Sequence, residues 1–202
     1  MNIHSNFDYL IKFALLGDSN VGKTNMIIRF IDNVFSLNTP STIGYDCKTK
    51  IITIDKKKVK VNLWDTAGQE KYLSINKSFF QKIDGVMLVY DITKLESFEN
   101  VQNWIETIKD YDEKMPAVLV GNKSDMEEKR IISDEEGKKL AEENNLKFFE
   151  TSALNGNNIE KAFVYFCGEV LKYLKNDKKY YLDNFSLDKS HKSKINKKKK
   201  CC

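Results

Sequence analysis

Between Tyr9 and Leu174, short apolar runs alternate with stretches whose apolar residues recur every three or four positions. Runs of strand length read as buried β-strands and the longer periodic stretches as amphipathic helices. The pattern predicts strands at Ile11–Leu16, Cys47–Ile54, Val59–Trp64, Gly85–Tyr90, Ala117–Val120 and Lys147–Glu150. Helices are expected over Thr24–Asp32, Glu96–Tyr111, Glu135–Asn144 and Ile159–Leu174, with Ser133 and Glu136 at capping-box spacing before the third. Strands alternating with helices imply βαβ units on a mainly parallel sheet, an α/β fold. One connection breaks the rule. Asp55-Lys56-Lys57-Lys58 is too short for a crossover, so the strands around it should form an antiparallel hairpin.

After about Asn176 the periodicity stops. The expected organisation is a flexible N-terminus at 1–8, one domain at 9–175 and a disordered basic tail at 176–202. A chain of 202 residues suits one such domain with a substantial core. No apolar run approaches the roughly 18–20 residues that span a bilayer, and no secretory leader is expected at the N-terminus.

Charge adds one distinction. The net charge is +4, but residues 176–202 hold nine Lys against three Asp, which leaves the rest of the chain slightly acidic. A basic tail on an acidic domain argues against a nucleic-acid-binding face, and no nucleic-acid partner is expected. Four cysteines, Cys47, Cys167, Cys201 and Cys202, form neither a C-x-x-C pair nor a metal-ligand set with His, which suits a reduced, cytosolic setting.

The chemistry is concentrated in three short motifs. Gly17-Asp18-Ser19-Asn20-Val21-Gly22-Lys23-Thr24 satisfies G-x-x-x-x-G-K-[ST] between a strand and a helix, the setting of a phosphate-binding P-loop. Its backbone N–H groups, from Ser19, Asn20, Val21 and Gly22 onward, face negative charge together with the helix N-terminus. Lys23 adds a full positive charge at the β- and γ-phosphates, and the Thr24 hydroxyl is placed to ligate Mg²⁺. At Trp64-Asp65-Thr66-Ala67-Gly68-Gln69-Glu70 a strand ends on Asp65, which suits a carboxylate holding Mg²⁺ through water. Gly68 permits close approach of its N–H to a γ-phosphate, and Gln69 follows where it could orient an attacking water.

Asn122-Lys123-Ser124-Asp125 follows the strand at Ala117–Val120. A carboxylate there can accept both N1–H and the exocyclic amine of guanine, a donor pair that adenine lacks. Thr151-Ser152-Ala153, after the next strand, offers an amide to guanine O6. In this order the motifs select GTP and GDP over ATP.

Gly17–Thr24, Thr42, Trp64–Glu70, Asn122–Asp125 and Glu150–Leu154 resemble, in order and spacing, the five guanine-nucleotide motifs of Ras-superfamily GTPases. Ser41-Thr42-Ile43-Gly44, Leu88-Val89-Tyr90-Asp91-Ile92-Thr93 and the terminal Cys201-Cys202 are similar to Rab proteins, and Glu99–Ile105 is similar to their secretory branch. The resemblance covers about residues 9–174 plus the last two. It implies a P-loop NTPase fold: a six-stranded, mostly parallel sheet with one antiparallel edge strand and five flanking helices.

The resemblance makes Thr42 the switch I threonine, with its hydroxyl on Mg²⁺ and its amide at the γ-phosphate. It also puts Leu154 in the base-binding loop and Phe35 beside the guanine ring, where the alternative is an aromatic merely packed on the domain. Cys201 and Cys202 resemble a doubly prenylated terminus, which two lipid chains and adjacent lysines would hold on a membrane. Ile43, Gly44, Cys47, Trp64 and Phe79 match the surface that Rab effectors read. Three departures fall on partner-facing stretches: Cys47 where Rabs carry Phe, Lys71 and Leu73 after switch II, and Pro40 before Thr42. Cys47 either softens the effector patch or packs in its strand without consequence.

The implied activity is slow hydrolysis of GTP, with Lys23, Thr42 and Gln69 as its catalytic residues. Neither arginine of the chain, Arg29 or Arg130, is positioned to act as a finger at the phosphates, so one is expected in trans. The implied role is a monomeric switch in vesicle traffic on the cytoplasmic face of an intracellular membrane, cycling with cytosol. Expected partners are an exchange factor, an activating protein, effectors, a prenylation escort and a GDP-dissociation inhibitor. Two rivals are a non-hydrolysing interaction module, which would be marked by loss of Lys23, Thr42 or Gln69, and a P-loop ATPase or kinase, against which Asp125 speaks.

Overall fold

A computed structural model of the chain describes residues 7–37, 45–66 and 77–176. Six strands form one sheet: β1 (Tyr9–Leu16), β2 (Tyr45–Ile54), β3 (Lys57–Thr66), β4 (Val86–Asp91), β5 (Ala117–Asn122) and β6 (Lys147–Thr151). Their order is β2-β3-β1-β4-β5-β6, with β2 antiparallel to β3 and every other pairing parallel. The helices are α1 (Lys23–Asp32), α2 (Lys77–Phe80), α3 (Leu95–Glu99), α4 (Val101–Tyr111), α5 (Asp134–Glu143) and α6 (Ile159–Asn176). A 3₁₀ turn spans Glu127–Lys129.

The alternation of side chains along β1 explains the layering. Ile11, Phe13 and Leu15 face a core shared with Met26, Ile27 and Phe30 of α1 and Phe163, Phe166 and Val170 of α6. Ala14 and Leu16 face the other side, where Phe80 of α2, Ile105 and Ile108 of α4 and Ala141 of α5 pack. Within the first core Phe30 stacks on Phe163 at 4.4 Å between centroids, and Phe13 meets Phe166 edge-on at 4.9 Å. Every residue of β4 is buried, as a central parallel strand covered on both faces must be.

The β2–β3 hairpin has the antiparallel geometry expected. Ile54 pairs with Lys57, so Asp55 and Lys56 are the two turn residues. Both have positive φ, 48° and 64°, which is the type I′ backbone that matches the twist of the flanking strands. The capping box at Ser133 and Glu136 is also present: Glu136 N–H donates to Ser133 Oγ, and Ser133 N–H donates to the Glu136 carboxylate.

The expected helix at Glu96–Tyr111 is interrupted at Asn100, which keeps right-handed helical angles while the hydrogen-bond series changes around it. The Asn100 side chain donates to Asp18 Oδ2 at 2.8 Å, and that bond ties the interruption to the loop after β1. Asp8, read from sequence as part of a flexible N-terminus, donates its N–H to Lys58 O and accepts from Lys58 N–H, so the β1–β3 pairing starts before Tyr9.

Candidate nucleotide site

The loops that carry the sequence motifs all leave the carboxyl ends of their strands: residues 17–22 after β1, Asp65 near the end of β3, Asp91 at the end of β4, Asn122 at the end of β5 and Thr151 at the end of β6. The chain turns to opposite sides of β1 to place β3 and β4. The loop after β1 therefore sits at the point where strand order reverses, where open α/β sheets leave a crevice.

Two glycines of this loop are obligatory. Gly17 has φ 142°, and a Cβ there would lie 1.9 Å from Val89 O of β4. Gly22 has φ 101°, and a Cβ would lie 2.4 Å from the Asn122 amide nitrogen. Only a residue without a side chain lets the loop lie this close to both strands. Lys23 is buried, and its ammonium donates to Gly17 O at 2.5 Å and Asp18 O at 2.9 Å, so it arches across the loop. Thr24 Oγ1 donates to Asp65 Oδ2 at 2.7 Å, which joins the two candidate Mg²⁺ residues from the P-loop and β3. Asp65 is buried to within 1%.

At the other end, buried Asn122 donates to Val21 O at 2.8 Å and accepts from Thr151 Oγ1 at 3.2 Å. One amide thus holds the loop after β1 in register with the ends of β5 and β6. Lys123 sits at φ 69° with its ammonium 2.7 Å from the fully buried Asp91 carboxylate. Asp125 stands exposed and accepts from Ser152 Oγ at 2.5 Å. Ser152 and Ala153 are buried, while Leu154 is 47% exposed.

The loop carrying Ser152, Ala153 and Leu154 is held from two sides by the chain's two arginines. Arg130 binds Glu150 in a fork, Nη1 to Oε1 at 2.6 Å and Nη2 to Oε2 at 2.9 Å, and reaches Glu127 as well. These acidic partners hold the guanidinium pKa above its ordinary value, Glu150 through its hydrogen bonds first. Arg29 of α1 donates to Ala153 O at 2.8 Å and Leu154 O at 2.5 Å. From the sequence, both arginines are read only as unplaced to act as a finger at the phosphates. Their partners lie 20 and about 125 positions away, and no local signal pairs them.

Not every expected site residue falls where the sequence suggested. Phe35 is half-buried and packs against the core that α1 shares. Cys47 is exposed and directly opposite Trp64 across β2 and β3. Partial desolvation by its neighbours, then the nearby Asp46 carboxylate, pushes its thiol pKa upward. Phe79 does not join them as an exposed ring. It is only 7% exposed, because it packs edge-on to Phe80 and fills the core under α2, to which half-buried Trp64 also contributes. Thr42, Ile43, Gly44, Gly68, Gln69, Cys201 and Cys202 lie outside the described residues, as do Pro40, Lys71 and Leu73.

Among the described residues no group of three or more His, Cys, Asp or Glu side chains could hold a metal alone, and no helix is long and apolar enough to cross a membrane. The hydroxyl–carboxylate pair of Thr24 and Asp65 fits an ion of the Mg²⁺ type, which binds one or two protein oxygens and completes its shell with water and phosphate.

The family model described as Ras family matches residues 12–172. The chain is 43% identical over 171 residues to the GTP-binding protein ypt3 of Schizosaccharomyces pombe, covering 84% of this chain and 80% of that one. It is 45% identical over 169 residues to the Ras-related protein RABA2b of Arabidopsis thaliana, covering 83% and 79%. To the Ras-related protein rab-11.1 of Caenorhabditis elegans it is 44% identical over 171 residues, covering 84% and 81%.

Proposed function

This chain belongs to the Ras family, as a small GTPase of the Rab type, and on that premise we propose that it is a switch in vesicle traffic that recruits effectors to a membrane while GTP is bound. The observation that carries the reading is the meeting of three motifs at the carboxyl edge of the sheet: the Lys23 arch, the Thr24–Asp65 pair and the Asp125–Ser152 pair. A phosphate chain fits at the first two and a guanine base at the third.

The residues divide the work as follows. Lys23 exchanges the carbonyls of Gly17 and Asp18 for the β- and γ-phosphate oxygens, and the loop amides of Ser19 to Gly22 surround the same charge. Thr24 and Thr42, with Asp65 behind them, would hold Mg²⁺, which would neutralise phosphate charge there. Gln69 orients the attacking water, and the amides of Thr42 and Gly68 sense the γ-phosphate. Asp125 accepts the two donors of guanine, Lys123 flanks the ring, and the Ala153 amide donates to O6.

Both arginines are engaged with the base-side loop, which supports an activating protein that brings its own arginine to the phosphates. Loss of the γ-phosphate releases Thr42 and Gly68, and the two switch segments relax. In this reading an exchange factor and an activating protein drive the cycle, while an escort and a GDP-dissociation inhibitor handle the lipid on Cys201 and Cys202. The protein then works on the cytoplasmic face of an intracellular membrane and cycles with cytosol.

Equilibrium binding of fluorescent GTP, GDP and ATP to the purified full chain, with and without Mg²⁺, tests the proposal, followed by single-turnover hydrolysis. GTP and GDP should bind and ATP should not, and Gln69→Leu should bind GTP but hydrolyse it far more slowly. Equal affinity for ATP and GTP would refute the base assignment. Parent-like hydrolysis by Gln69→Leu would refute the role given to that residue.

A further inference from the structure

We propose that Arg29 is a positioning residue for the base end of the nucleotide site, setting the amide of Ala153 against guanine O6 from behind the loop. The inference rests on the proposed contact between that amide and the base.

Arg29 lies on α1, the helix that begins with Lys23 and Thr24 at the phosphates. Arg29 stands six positions after Lys23, roughly 9 Å along the axis. From there its guanidinium donates Nε to Ala153 O at 2.8 Å, Nη2 to Leu154 O at 2.5 Å and Nη1 to Asn33 O at 2.9 Å. Two of these acceptors are consecutive carbonyls of the base-side loop. A planar fork holds the two through separate nitrogens in one fixed geometry, whereas an ammonium would reach them from a single rotatable point.

The local chain geometry gives the contact its direction. Gly156 N–H donates to Ser152 O at 2.9 Å, which closes residues 152–156 into one helix-like turn. In such a turn the carbonyls point toward one end and the N–H groups toward the other. Arg29 holds the carbonyl end. The N–H end faces the opposite way, and there Asn155 N–H donates at 3.2 Å to Ser152 Oγ, the hydroxyl that itself donates to Asp125. Gly156, at φ 82°, closes the turn with the Arg29 side chain 3.7 Å from where its Cβ would be. Arg130 fixes Glu150 before the loop, and Asn158 donates to Glu150 O at 2.8 Å. Between these anchors, Ala153 and Leu154 have Arg29 on their carbonyls. The position of the Ala153 amide therefore follows the position of α1, and one helix couples the phosphate end of the site to its base end.

The test uses the full chain with excess Mg²⁺ and compares release of GDP with release of 6-thioguanosine diphosphate. The thio analogue keeps both donors read by Asp125 and replaces O6 with a weaker sulfur acceptor. The parent protein is expected to release the analogue faster than GDP. Arg29→Ala should speed GDP release about tenfold, in line with losing charged hydrogen bonds to the loop, while changing analogue release no more than about twofold. Arg29→Lys, which keeps the charge but not the fork, should recover only part of the GDP effect, and its ratio of the two rates decides the matter if the alanine variant does not fold. Equal acceleration of both nucleotides would overturn the inference, because Arg29 would then act through α1 or the phosphates. A parent protein that released GDP and its thio analogue alike would overturn both the O6 contact and the role of Arg29 built on it.

Discussion

Arg130→Met is expected to destabilise the domain by about 2–3 kcal/mol, and the structure explains why the cost lies with Glu150 and not with Glu127. Arg130 contacts both acids. The side chains of Arg130 and Glu150 are 17% and 15% exposed and joined by two parallel bonds, whereas Glu127 is 68% exposed. Breaking a fully buried pair by removing one partner costs about 3–5 kcal/mol, because the remaining charge is left without a counterpart. Partial exposure at both ends lowers the figure here to about 2–3 kcal/mol. Glu150 also ends in a confined place: it is among the groups that raise the pKa of the Tyr90 hydroxyl, after burial itself, and Tyr90 is fully buried. An exposed pair in high dielectric contributes little, so Glu127→Gln should leave the unfolding transition where it is. Urea denaturation at fixed excess GDP and Mg²⁺ measures all of these, since bound ligand shifts apparent stability. The double variant Arg130→Met, Glu150→Met should be less damaged than the sum of its single variants by about 1–3 kcal/mol, the coupling expected of residues in contact. The reasoning fails if Glu127→Gln costs as much as Glu150→Gln, or if the double variant is simply additive.

Three further outcomes can be checked. Burial raises the Asp84 carboxyl to a pKa of about 6, although it accepts Lys12 N–H at 2.7 Å. The folded state therefore holds this proton more tightly than the unfolded one, and stability should fall as pH rises from about 4 to 6. Asp84→Asn should flatten that slope and raise stability at pH 7 by about 1–3 kcal/mol, read from thermal melts across the window; an unchanged slope would reject the assignment. Asp125→Asn keeps an oxygen for Ser152 Oγ, so the fold should survive while preference moves from guanine toward xanthine nucleotides, measured by competition against fluorescent GDP. Cys47→Phe sets a ring opposite Trp64 on the neighbouring strand and should strengthen binding to a broad-specificity Rab effector by about 1–2 kcal/mol. Calorimetry showing no change with several such effectors would discard the idea.

The sequence by itself determined the features that arise between near neighbours in the chain. A P-loop is eight consecutive residues, and its glycines are dictated by backbone angles that only glycine adopts easily, as at Gly17 and Gly22. The Asp55-Lys56 turn and the Ser133–Glu136 box are likewise short-range chemistry, and period-two and period-3.6 patterns located all six strands and the four long helical stretches to within a few residues. Tertiary structure alone decided the rest. At the Asn100 break the side chain meets Asp18, 82 positions away. Burial of Phe79 depends on how α2 settles on the sheet, which the pattern of two adjacent phenylalanines does not reveal. Arg29 looked like an ordinary residue of an amphipathic helix until the strand order brought α1 beside the loop after β6, 124 positions later. Local preferences are set by each residue and its immediate neighbours. Contacts at that range exist only once β1, β4, β5 and β6 have paired in one order, and their partners leave no periodic mark in the chain.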